Sequence, residues 1–217
     1  MTRYFRTALF AAATALAFAA PALAGPPLLC HPYDIGNAKS LPWVGEKSWS
    51  EGQPDYKLEN LVRDTEALLT PSTPVVVRME TLRRAALYAS TDPIVANALL
   101  KRAINRAEAS EMAGQPDALA FLDAAYLAGA FNEITMMGRA KEWEQRSTNA
   151  REVKGTLDAY GMITKSVALR PSDPAIQFAA ALISSDGHRS EYPAHAAKAR
   201  AGAEGDMLLA RNLVHVQ

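Results

Sequence analysis

Four dipeptides punctuate this chain: Thr73-Pro74, Asp92-Pro93, Asp173-Pro174 and Tyr192-Pro193. In the first three, a side chain that can accept from free N–H groups stands before a proline. Proline lacks an N–H and has its φ preset, which suits a first helical position. Pro116 plays a similar part after Gly114. The prolines fall 19 residues apart (74 to 93), then 23 (93 to 116), and again 19 (174 to 193). Each interval holds one helix and one turn, and two intervals make about 40 residues, the size of a helix-turn-helix unit. Val75-Val76-Val77 is the only run of β-branched residues, so little room is left for a sheet.

Composition agrees. Of 217 residues 42 are alanine, and 32 of these follow residue 24, so the bulk of the chain favours helix. A hydrophobic fraction of 49% is too high for a disordered chain and sufficient for one domain with a real core.

The spacing predicts helices over 55–69, 74–90, 93–113, 116–136, 148–170, 174–185, 193–203 and 205–215. In the first, Leu58, Leu61, Val62, Thr65, Leu68 and Leu69 make one apolar face, with Glu59 and Arg63 paired outside. In the third, Val95, Leu99, Ala103 and Ala107 form a stripe; in the fourth, Leu119, Leu122, Tyr126, Ala130 and Ile134 do. Small residues such as Ala125, Gly129 and Ala130 let another helix approach closely. The expected fold is all-α, an antiparallel stack of α-hairpins over residues 55–217.

The N-terminus carries a different signal. Arg3 and Arg6 precede an uncharged run, Thr7 to Ala20, which Pro21 interrupts before Ala22-Leu23-Ala24. A basic start, a short apolar run and a small-x-small site are the marks of a secretory leader, with cleavage expected after Ala24. The run is about 14 residues, short of the ~20 that span a bilayer. The expected product is periplasmic or secreted, with no stable membrane insertion. The formal charge of zero becomes about −2 once Arg3 and Arg6 are removed, which argues against a nucleic-acid partner.

Residues 25–54 read as an extended, Pro-rich arm. Pro26, Pro27, Pro32 and Pro42 exclude a long helix, yet Leu28, Leu29, Tyr33, Ile35, Leu41 and Trp43 are too apolar for a loose tail. The arm holds Cys30, the only cysteine, so no disulfide forms within the chain. Four roles are open to it: a small buried hydrophobe, an intermolecular disulfide, a lipid attachment point, or metal or haem ligation with His31. Haem attachment needs Cys-x-x-Cys-His, and only Cys30-His31 is present. Lipidation favours small residues before the cysteine, where this chain has Leu28 and Leu29. The block from Cys30 to Trp43 resembles the start of uncharacterised exported bacterial proteins with a helical C-terminal part, a resemblance that brings no activity.

Residues 150–210 resemble a tetratricopeptide repeat. The likeness rests on Tyr160-Gly161, on Ala168-Leu169-Arg170-Pro171 ending one helix, and on Asp173-Pro174 opening the next with Phe178, Ala180 and Ala181 as packing residues. It has one spacer residue where the family commonly has two. The resemblance implies a right-handed, superhelical solenoid that holds a partner peptide in its concave groove, and implies no catalysis.

Motifs for chemistry are missing: no Gly-x-Ser-x-Gly, His-Glu-x-x-His, Cys-x-x-Cys, Walker-type loop or Gly-x-Gly-x-x-Gly occurs. His188 and His195 flank Pro193 and do not share a helix face; with His215 they read as ordinary surface or satisfied histidines. Arg78, Arg83, Arg84, Lys101, Arg102 and Arg106, with Glu80 four residues before Arg84, read as a solvated, salt-laced face. The functional expectation is a scaffold without a cofactor, binding a protein or peptide, with Trp43 and Trp143 as candidate contacts. The alternative is a small thiol- or metal-handling protein using Cys30 and His31.

Overall fold

A computed structural model describes residues 27–45, 48–153, 158–185 and 187–216. The expected leader and its cleavage site after Ala24 lie outside them. The described residues are all-α: α1 (Leu61–Leu68), α2 (Val75–Ala89), α3 (Pro93–Met112), α4 (Ala118–Met136), α5 (Glu144–Arg151), α6 (Ala159–Leu169), α7 (Pro174–Ser184), α8 (Tyr192–Gly202) and α9 (Met207–Asn212). Short 3-10 turns precede α1, α5 and α9 and follow α9, and one isolated antiparallel bridge joins Trp43 to Gly52.

The helix starts are set largely by aspartate. Asp92 accepts from the N–H groups of Ile94 and Val95, and Asp173 from those of Ala175 and Ile176, each ahead of a proline as expected. Three further starts use the same device without a following proline: Asp117 for α4, Asp158 for α6 and Asp206 for α9. Pro116 is therefore not the first residue of α4. Thr73 does not cap α2; its hydroxyl donates to the carbonyl of Leu68 and closes the preceding turn. The helix expected over 148–170 is two helices, because the Asp158 carboxylate captures the N–H of Gly161 and starts α6 afresh. Arg63 pairs with Asp64 rather than Glu59.

The helices gather around α4, which packs against α2, α3, α5, α6 and α7. In a linear stack each unit touches only its neighbours. Here α4 is buried on every face from Ala118 to Phe131, so the single stripe expected for it was too narrow. Its uniform run of Ala, Leu and Phe suits that central place. Nor does Gly129 serve helix contact alone: Leu28 of the arm sits against it, with Ala159 of α6 beyond.

The arm does not lie on the body but within it. Leu28, Leu29, Tyr33, Ile35 and Leu41 are buried and belong to the main core with α2, α4 and α7. Burying the four aliphatic side chains alone contributes about 6–12 kcal/mol as an upper estimate. That is comparable with the ~5–15 kcal/mol net stability of a whole domain. The arm is thus an integral element of the fold.

Candidate functional site

The seat of the arm is built from polar side chains that bind peptide groups. Both carboxylate oxygens of Glu133 on α4 accept from the N–H of Leu28, at 3.0 and 3.1 Å. The Tyr126 hydroxyl, also on α4, donates to the carbonyl of Leu28 at 2.6 Å. Arg83 on α2 donates to the carbonyls of Leu29 and Trp49, and Glu80 accepts from the N–H of Tyr33. Arg84 holds the carbonyl of Leu41, and the Tyr88 hydroxyl donates to that of Pro42. At the far end the Asn212 amide accepts from the N–H of Asp34 and donates to its carbonyl, both at 2.9 Å. A segment whose described residues make a single isolated bridge needs such contacts, since each buried peptide group must find a partner.

Two buried ion networks support this seat. Glu80 binds Arg83 and Arg84, each at 2.7 Å, and Arg83 is fully buried. Burial would raise the Glu80 carboxyl, but the two guanidiniums reverse that and hold it below its usual range. Arg78, also fully buried, makes a bidentate bond to Asp123 of α4, and Arg106 of α3 adds a third contact at 2.9 Å. Burial pushes the Asp123 carboxyl up against the pull of these guanidiniums. The solvated basic face expected from the sequence is therefore corrected. Arg84 shares the α2 network, Arg102 pairs with Glu66, and of the six only Lys101 and Arg102 are well exposed. The reason is the arm, which covers the α2 face that Arg83 occupies, while α4 covers that of Arg78.

Cys30 is half-buried beside this seat. Burial, and then the Glu133 charge, push its thiol up to about 11, with Arg83 opposing. The thiol is protonated at neutral pH, the form that neither attacks nor ligates well. His31 has His215 as its ring neighbour, 6.0 Å between centroids. Among the described residues no group of three or more His, Cys, Asp or Glu stands together to hold a metal ion. His188 stacks on Tyr160 at 3.8 Å, and His195 bonds Gln177 through Nδ1 at 2.7 Å.

Of the candidate contact tryptophans, Trp143 lies in the core and Trp43 stands at its edge. Trp143 is buried and stacks on Trp49 at 5.3 Å, with the Arg146 guanidinium over it. Trp43 is half-buried, edge-on to Tyr88, and donates from Nε1 to the carbonyl of Ser48.

What sequence reasoning missed is an open groove between α3 and α6 with α4 as its floor. Ile104 and Ala107 of α3, Phe121 of α4 and Met162 of α6 enclose a cavity of about 280 Å³. Glu108, Asp158 and Lys165 stand at its mouth; Lys165 is paired with Glu111 and lies 5.0 Å over the Phe121 ring. Phe121, Ala107, Ala120 and Ala124 form an apolar cluster separate from the main core. No local motif marks the groove, because its walls come from three helices and its residues are ordinary core types. Among the described residues no helix is long and apolar enough to cross a membrane. In comparisons with known proteins, no family, no curated protein and no solved structure matches the chain.

Proposed function

We propose that this chain is an exported, non-catalytic helical scaffold that binds a peptide segment of a partner protein in the α3–α4–α6 groove. Export rests on the leader-like N-terminus. The observation that carries the binding reading is the cavity over Phe121, apolar in its floor and, among the described residues, open at its mouth. The seat between α2, α4, α7 and α9 is already filled by the arm, so a partner peptide has no place there. In this proposal a tetratricopeptide-like unit would be made by the consecutive helices α6, α7 and α8, and what supports it is the Asp173 cap that opens α7.

The cavity volume suits one bulky apolar side chain. The described carboxylates around the mouth, Glu108, Glu111 and Asp158, outnumber Lys165 and favour a lysine or arginine beside that side chain. The test is calorimetric titration of the folded chain with short peptides carrying an aromatic residue next to lysine or arginine. Saturable binding is expected, weakened at least about fivefold by Glu108→Lys and abolished by Ile104→Glu, in keeping with the ~1 kcal/mol or more that a well-packed interface side chain contributes. Saturable binding that ignores both substitutions, or none with such peptides, sinks the reading. Thiol or metal handling at Cys30 and His31 has weaker support, since the thiol is held protonated.

A further inference from the structure

Opposite ends of the described chain meet at two histidines. His31 lies on the arm and His215 in the turn that follows α9, with centroids 6.0 Å apart. Tyr33 stands edge-on to His215 at 5.2 Å, and Phe178 of α7 closes the other side at 6.5 Å. Nε2 of His31 and Nδ1 of His215 are sealed from solvent, and neither has a hydrogen-bond partner among the described residues. His215 so held is stable as the neutral form, because a proton on Nδ1 would arrive in a buried place with no acceptor for it.

The charged groups around this junction offer little relief. Glu80 of α2 faces it, but its carboxylate is already engaged by Arg83, Arg84 and the N–H of Tyr33. Asp34 of the arm lies 3.8 Å from Arg211 of α9, and Arg200 of α8 donates to the carbonyl of Val216. Tyr126 of α4 bonds Tyr33, and Phe178 of α7 carries no charge. Burial, then the charge of His31, push His215 down to about 4, with Glu80 opposing.

The segment that His215 closes is slight. It is a six-residue helix and a 3-10 turn, with Leu209, Asn212 and Val216 as its buried residues. The Asn212 amide and the exposed Arg211–Asp34 pair are its polar ties to the arm. α2 and α4, in contrast, are buried along most of their length. Elements with so few buried contacts open first.

The geometry points to an acid-sensitive latch: protonating His215 releases Met207–Val216 from the arm and uncovers the aromatic seat of Tyr33 and Phe178, while the helices around α4 stay folded. In the closed form His215 refuses a proton that it accepts once released. The open population therefore rises as pH falls below the ordinary value of 6.5 and stops rising below about 4. Allowing for the part of His215 that solvent reaches, the gain is on the order of ten- to a hundredfold.

The experiment is native-state hydrogen exchange by mass spectrometry on the whole chain, from pH 7.5 to 4.5, corrected for intrinsic exchange rates. The expected result is a ten- to hundredfold rise in opening confined to 207–216, with α2 and α4 unchanged, and a flat profile in His215→Phe. A wild-type segment whose protection does not fall with pH overturns the latch, as does a His215→Phe segment that opens with acid like the wild type. A second measurement guards against a variant that fails to fold. The His215 imidazole NMR signal of the wild type should titrate in step with the loss of protection, and titration without opening overturns the proposal.

Discussion

Leu28 occupies the space that a side chain at Gly129 would need: a Cβ there would come within 2.6 Å of the Leu28 Cδ1. Helix propensity favours alanine over glycine by about 1 kcal/mol in the middle of a helix. The contact reverses that preference. Gly129→Ala is expected to destabilise the protein by about 1–3 kcal/mol, since the Leu28 side chain is buried in the main core, and its backbone, held by Glu133 and Tyr126, cannot back away to make room. Urea unfolding measures it, and a variant as stable as the parent would show that the arm is not seated on α4.

Glu80 joins the arm to α2 through the N–H of Tyr33 and two guanidiniums. Glu80→Ala leaves Arg83 buried without its counter-charge, at an expected cost of about 3–5 kcal/mol. Glu59→Ala, on the exposed first turn, should change stability by less than about 0.5 kcal/mol. Equilibrium denaturation of the two variants side by side checks the contrast, and equal effects would remove the network from the account of stability.

Such networks mark where sequence reading ran out. Asp92 and Asp173 were legible as caps because the side chain, the following proline and the free N–H groups lie within three residues. The pairing of Glu80 with Arg84 was legible for the same reason. The burial of Arg78 was not, because Asp123 lies 45 residues away on another helix. Arg83 was missed because the arm that covers it is 54 residues upstream at Leu29. The one available signal for the central helix was its lack of a polar face between Ala118 and Ile134, broken by Asp123 and Glu133 alone among charges. Both charges turn out to be anchors, one for Arg78 and one for the arm. The groove over Phe121 had no such signal, since buried apolar residues beneath a groove and beneath a packed helix are of the same types.

Cys30 gives a direct test of the thiol alternative. With its thiol raised to about 11, only a small fraction is thiolate at pH 7.5. Alkylation by iodoacetamide should be slow there and should quicken about tenfold per pH unit up to pH 10, without a plateau near pH 8–9. A plateau near neutrality would mean an activated thiolate and would revive redox or metal chemistry at this residue.

The buried tyrosine pair sets the alkaline limit. Tyr126 and Tyr33 lie 3.2 Å apart by their hydroxyls inside the arm seat, and both are buried. Burial raises both well above the ordinary value of 10.0; a mutual hydrogen bond raises Tyr126 further and eases Tyr33. In the unfolded chain each ionises near 10, so a raised folded value means that the native state keeps protons the unfolded state loses. Their contribution to stability is full below pH 10 and declines as pH rises above it, by about 1.4 kcal/mol per unit for each ring. Two rings together remove about 5 kcal/mol between pH 10 and 12, enough to unfold a domain of ordinary stability. Burial also raises Tyr56, Tyr88 and Tyr192, so much of the rise in the phenolate band should be delayed beyond the ordinary value of 10.0. Tyr33 and Tyr126 should ionise in one cooperative step that coincides with loss of helical circular dichroism. In Tyr33→Phe that step should move to higher pH, because one of the two protons no longer has to leave. A smooth titration of all seven tyrosines with the helices intact would show that the arm seat is open to solvent.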